Sequence, residues 1–179
     1  MAMTILSALG VDDLSIAAAM LFVHNVPGRF EVVSTAGPIV IVDYAHTPEG
    51  LRRLLSDVRA LAPGARVVTV FGCGGDRDRS KRPEMGMVAS AHSDVTFVTS
   101  DNPRSEPPDD IIDAVMSGVV PGSTVYRVSD RRMAIAEALQ NADPGDVVVI
   151  AGKGHEATQT IGELIVPFDD RVVALELLG

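Results

Sequence analysis

Four short polar segments carry the residue types that chemistry needs. Asp101-Asn-Pro-Arg104 sets an acid, an amide and a guanidinium within four residues and stiffens them with proline. Asp101 can hold an ammonium, and Arg104 can grip a carboxylate through two parallel hydrogen bonds, so the segment suits a zwitterionic ligand. The same spacing also makes an ordinary turn. Gly152-Lys-Gly-His-Glu156 can bring backbone N–H groups, an ammonium and a carboxylate onto one ligand, although a Gly-Lys-Gly triplet is weak by itself.

In Phe71-Gly-Cys-Gly-Gly-Asp-Arg-Asp78 the glycines let backbone approach a ligand, and the charges beside them can pair internally or reach an anion. It is not a phosphate-binding P-loop, because no Gly-x-x-x-x-Gly-Lys-Ser/Thr occurs, and Arg77 stands where a dinucleotide fingerprint needs its third glycine. Asp43-Tyr-Ala-His-Thr-Pro48 has two readings. Asp43 can accept hydrogen bonds from a ribose with His or Tyr packed on a base, or it can form a turn that leads to a helix capped by Thr47.

Each segment follows an apolar run. Ile39–Val42, Arg66–Val70, Val95–Thr99, Thr124–Val128 and Asp146–Ile150 are β-branched and short, which predicts buried strands. Pro48–Ala60, Pro83–Ala91, Pro107–Val115 and Ser129–Asn141 have the length of crossover helices. Such alternation predicts an α/β fold, a mostly parallel sheet with helices on both faces, whose ligands gather beyond the carboxyl ends of the strands. Glu163–Val166 reads as a last strand and Asp170–Leu178 as a closing helix.

Upstream, Thr4–Val23 is Ala/Leu-rich, with Asp12, Asp13 and Ser15 available as caps, and reads as a helix that Pro27 and Gly28 end. The division expected is a helical segment over 1–25 and a domain over 26–179. With 179 residues the chain holds one ordinary domain, and 46% hydrophobic but only 4% aromatic residues predict an aliphatic core. A net charge of −9 argues against a general nucleic-acid surface, although Arg77, Arg79, Lys81 and Arg82 form a local basic patch. The lone Cys73 rules out an internal disulfide, no Cys/His spacing resembles a zinc site, and no membrane span or export signal is read, so a soluble cytoplasmic protein is expected.

Together with Val26-Pro-Gly-Arg-Phe-Glu31 and the closing Asp169-Asp-Arg171, these segments occur in the order found in the Mur ligase family, and they resemble its diaminopimelate-adding branch. The resemblance runs from about residue 26 to the end. It implies a Rossmann-like C-terminal domain, preceded over 1–25 by the last helix of a central ATPase domain. It further implies an ATP-dependent ligase that adds meso-diaminopimelate to UDP-N-acetylmuramoyl-L-Ala-D-Glu in peptidoglycan biosynthesis, by way of an acyl phosphate. Arg29 is then expected at nucleotide phosphate, Asp43 at the ribose, and His46 nearby. Arg77, Asp101, Asn102, Pro103, Arg104, Gly152 and Glu156 are expected at meso-diaminopimelate. ATP and Mg2+ are the implied cofactors, with the Mg2+ ligands and the UDP-binding part upstream, so the chain alone is expected to be inactive. Two alternatives stand beside this: a sister ligase that adds D-Ala-D-Ala or glutamates to folate, and a standalone small-molecule or nucleotide-binding module. The Asp-Asn-Pro-Arg and Gly-Gly-Asp-Arg-Asp segments discriminate against the sister ligases.

Overall fold

The computed structural model describes residues 26–179, together with Asp12. The helix expected over Thr4–Val23, and the division drawn at residue 25, lie outside the described residues. Eight strands follow: β1 (Glu31–Ser34), β2 (Ile39–Asp43), β3 (Val67–Cys73), β4 (Val95–Ser100), β5 (Thr124–Arg127), β6 (Val147–Ala151), β7 (Thr158–Ile161) and β8 (Leu164–Pro167). Five helices accompany them: α1 (Pro48–Leu61), α2 (Lys81–His92), α3 (Pro108–Met116), α4 (Arg131–Gln140) and α5 (Asp170–Leu178).

Six strands form one sheet in the order β1-β2-β6-β3-β4-β5, parallel throughout except where β1 runs antiparallel on β2. The apolar runs are continuous because both faces are covered. Val67, Phe71, Cys73 and Val149 face α1, α2 and α3, while Val68, Val70, Val148 and Ile150 face α4 and α5. Right-handed crossovers explain which helix lies where. The chain moves in one direction along the sheet from β2 through β3 and β4 to β5, placing α1 to α3 on one face. It then returns across β4 and β3 to insert β6, so α4 lies on the opposite face. This reversal sets the loops after β2, β6, β3 and β4 side by side.

The strand and helix expectations over 39–150 are met within a residue or two at most ends. Helix α4 begins at Arg131 rather than Ser129 because Asp130 caps it, accepting from Met133 N at 2.8 Å. Thr47 caps α1 by accepting from Gly50 N at 3.1 Å. The last strand expected over Glu163–Val166 is found at Leu164–Pro167, and it pairs antiparallel with an additional strand, Thr158–Ile161, in a separate hairpin. The polar Thr-Gln-Thr-Ile run of β7 has no apolar face to mark it as a strand. Its backbone instead joins the Asp101–Arg104 loop.

Where α4 and α5 begin, Arg131 and Asp170 are buried at 1% and 0% exposure. Asp170 accepts from Arg131 Nε at 2.8 Å and from Nη2 at 2.7 Å. The same guanidinium donates to the carbonyls of Ser100 and Ala151, the last residues of β4 and β6, at 3.2 and 3.1 Å. Asp170→Ala leaves a buried guanidinium uncompensated, so urea unfolding is expected to show a loss of about 3–5 kcal/mol. An unchanged midpoint would show that the pair carries no such weight.

Candidate functional site

At the carboxyl ends of β2, β6, β3 and β4 lies an open cavity of about 400 Å³. Arg77, Asp101, Asn102, Arg104, Gly152 and Glu156 line it, and so does His46. Residues as far apart in sequence as His46 and Glu156 thus meet at one place. Pro103, expected among the contacts, does not line the cavity; its carbonyl accepts from Glu106 N at 3.1 Å and fixes the turn. Arg29 and Asp43 also lie outside it.

One group of the cavity residues is acidic. Asp101 is 9% exposed, and its Oδ1 has no hydrogen-bond partner. Glu156 Oε2 accepts from Asn102 Nδ2 at 2.9 Å. Asn102 Oδ1 accepts from Thr160 N at 2.9 Å, so the amide is oriented from both ends. Lys153 was expected to offer its ammonium to a ligand, but it is fully buried and lies behind this wall. Its Nζ donates to Asn102 Oδ1 and Glu156 Oε2, both at 3.3 Å, and lies 3.5 Å from Asp101 Oδ1.

A second group is basic. Arg104 sits at φ +53°, a left-handed backbone held by β7 through Arg104 N to Thr160 O at 3.1 Å and Gly162 N to Arg104 O at 2.7 Å. Its Nη1 donates to Gly75 O at 2.7 Å, which leaves the remaining guanidinium donors for a ligand. Arg77 forms no hydrogen bond or ion pair among the described residues, and it lines the same cavity. The rest of the expected basic patch is dispersed. Lys81 Nζ donates to His46 O at 2.5 Å, while Arg79 and the buried Arg82 both pair with Glu106.

Glu106 is the residue that the sequence reading missed. It accepts from Arg82 Nη1 and Nη2 at 3.0 and 2.9 Å and from Asp76 N at 2.7 Å. The hydrogen bonds from Arg82, followed by that from Asp76 N, hold its carboxyl down at about 2. Asp76 in turn accepts from Ser105 Oγ at 2.7 Å, so the loops after β3 and β4 are joined in both directions. Gly75 allows this approach: a Cβ there would lie 1.8 Å from Pro103 O. Charge alone was visible in sequence, but the pairing spans 24 positions and no periodicity marks it.

On the β2 side, the ring at the centre is Tyr44. The Arg29 guanidinium lies 4.5 Å over it, and His46 and His155 rings lie 4.6 and 5.3 Å from it. Asp43 serves the turn, accepting from Ala45 N and Phe30 N at 2.7 Å each. Each oxygen keeps a lone pair, so the turn role and the ribose role remain compatible. At Gly28, with φ +67°, a Cβ would meet His155 N at 2.1 Å, so the loop bearing Arg29 lies directly on the loop bearing Glu156.

A doubly covered parallel sheet with this bipolar cavity at its switch point defines an α/β ligand-binding domain. Residues 28–154 match the family model described as Mur ligase, glutamate ligase domain. The chain is 52% identical over 174 residues to the UDP-N-acetylmuramoyl-L-alanyl-D-glutamate--2,6-diaminopimelate ligase of Gloeobacter violaceus, covering 96% of this chain and 35% of that protein. It is also 52% identical over 172 residues to the ligase of the same name from Syntrophomonas wolfei, covering 94% and 35%. A solved structure of a UDP-N-acetylmuramoyl-L-alanyl-D-glutamate--2,6-diaminopimelate ligase superposes with a TM-score of 0.80 at 36% identity, covering 99% of this chain and 36% of that one. The chain belongs to the Mur ligase family. It spans about a third of the length of these relatives.

Gly75→Ala is expected to force the two joined loops apart, seen as loss of amide protection in both loops by hydrogen exchange. Glu106 contributes stability in full above its ordinary value of 4.5, and this is lost as pH falls through about 2. Acid titration of unfolding should therefore show a drop between those values that Glu106→Gln lacks. Identical acid profiles would contradict the assigned role.

Proposed function

We propose that this chain is the amino-acid-binding domain of an ATP-dependent ligase that adds meso-diaminopimelate to UDP-N-acetylmuramoyl-L-Ala-D-Glu. The observation that carries the reading is one cavity lined by the acids Asp101 and Glu156 together with the arginines Arg77 and Arg104. Meso-diaminopimelate has two ammonium and two carboxylate groups, and a selective pocket needs acids and arginines together. The named activity of the 52%-identical relatives supports the same assignment.

In this reading the acids hold ammonium groups, Asn102 and Gly152 complete the polar wall, and Arg104 and Arg77 pair carboxylates. Fixing both ends of the ligand orients its reacting amine toward an activated carboxylate, which replaces a bimolecular encounter by a positioned one. Arg29, Asp43 and His46 take the nucleotide side, with Arg29 leaving the Tyr44 face to meet phosphate. ATP supplies the activation of the carboxylate. In this reading the Mg2+ that accompanies the nucleotide takes its ligands from the rest of the ligase. The acyl-phosphate chemistry likewise belongs to the assembled ligase, and the domain's part is orientation and exclusion of water.

Calorimetric titration with meso-diaminopimelate and with L-lysine at low salt tests the reading. L-lysine lacks the distal carboxylate, so the domain is expected to prefer meso-diaminopimelate. Arg104→Ala should remove about 1.5–3 kcal/mol of that preference, a factor of roughly 10 to 150. Equal or tighter binding of L-lysine by the unaltered chain would overturn the assignment.

A further inference from the structure

Lys153 has no exposed surface, yet it touches three of the residues assigned to the ligand. Its Nζ lies 3.3 Å from Asn102 Oδ1, 3.3 Å from Glu156 Oε2 and 3.5 Å from Asp101 Oδ1. A buried ammonium is costly unless it is paired and hydrogen-bonded, so its partners must stay in place. A second buried cation, Arg131 at the start of α4, is committed to both oxygens of Asp170 and cannot substitute. Asp101 and Glu156 therefore share one positive charge between two negative ones. One negative charge is left for a ligand ammonium to neutralise.

Lys153 also reinforces the direction in which the Asn102 amide points. With Lys153 Nζ and Thr160 N both donating to Oδ1, the Nδ2 group can only donate, and it donates to Glu156 Oε2. Glu156 Oε2 is thereby occupied twice, which leaves Oε1 as the oxygen available to a ligand. We infer that Lys153 is a positioning residue for the amino-acid site: from behind the cavity wall its ammonium orients Asn102, Glu156 and Asp101 and sets their balance to accept one ammonium group. The inference rests on the proposed function for the identity of the ligand, but the arrangement it describes exists without one.

The test uses the 179-residue chain, isotope-labelled, with the Lys153→Met variant compared by NMR and by titration with meso-diaminopimelate. In the unaltered chain the Asn102 side-chain NH2 is expected to exchange slowly with solvent. In Lys153→Met that protection should be lost while backbone signals of the distant sheet face are kept, and affinity for meso-diaminopimelate should fall at least about tenfold. If Lys153→Met does not fold, the double variant Lys153→Met, Glu156→Gln restores the original charge difference of one and retains an acceptor for Asn102. It should fold and melt higher than the single variant. A chain that binds no meso-diaminopimelate would remove the proposed function while the amide exchange still decides the role of Lys153. Full protection of the Asn102 amide in Lys153→Met, or a double variant no more stable than the single one, would overturn the inference.

Discussion

The Arg131–Asp170 pair ties together four chain segments, two of which carry the site. One guanidinium at the start of α4 binds the carboxylate at the start of α5 and the terminal carbonyls of β4 and β6. Those two strands carry the Asp101–Arg104 and Gly152–Glu156 loops. A charge pair in the interior gives little net stability over an apolar replacement, because desolvation offsets most of the attraction. What it supplies is direction. The strand ends cannot drift relative to each other without leaving a charge or a carbonyl unpaired.

From this fixed base the two ends of the cavity are built by different means. At the acidic end, side chains orient side chains: Lys153 lies behind Asp101, Asn102 and Glu156 and is shielded from solvent. At the basic end, backbone and side-chain bonds between loops share the work. Strand β7 holds Arg104, and the Asp76–Ser105 and Glu106–Arg82 bonds hold the two loops against each other. The difference follows from the groups concerned. Carboxylates facing one another need a counter-charge close by, whereas an arginine reaches its ligand at the end of a long stem and needs only its base secured.

Much of this was legible in the sequence because strand-loop-helix alternation is written in residue types. Val147–Ile150 reads as a buried strand from its composition, and the polar run after it falls where a parallel sheet exposes its loops. The cavity residues were readable for the same reason, since each lies just past a strand end. The roles of Lys153 and Arg82 were not. A lysine between glycines and an arginine in a basic run both look solvated, and only the folded chain shows that Glu156 and Glu106 draw them inside. The β7 strand escaped because its own Thr-Gln-Thr-Ile run is polar, although it pairs with the apolar β8 and bridges the loop at Arg104. Asp43 illustrates a third case, in which the turn reading and the ligand reading of one residue are compatible.

The clamp on Arg104 has a further consequence for how such a site can change. Its backbone N–H and C=O are both bonded to the β7 hairpin, so the loop keeps its course whatever side chain the position carries. Its left-handed φ restricts which residues fit comfortably, but it does not tie the fold to a guanidinium. Selectivity at this position is thus separable from foldability but for the donation from Arg104 Nη1 to Gly75 O. Divergence within the family can alter the amino acid that is accepted by exchanging a side chain on an unchanged frame.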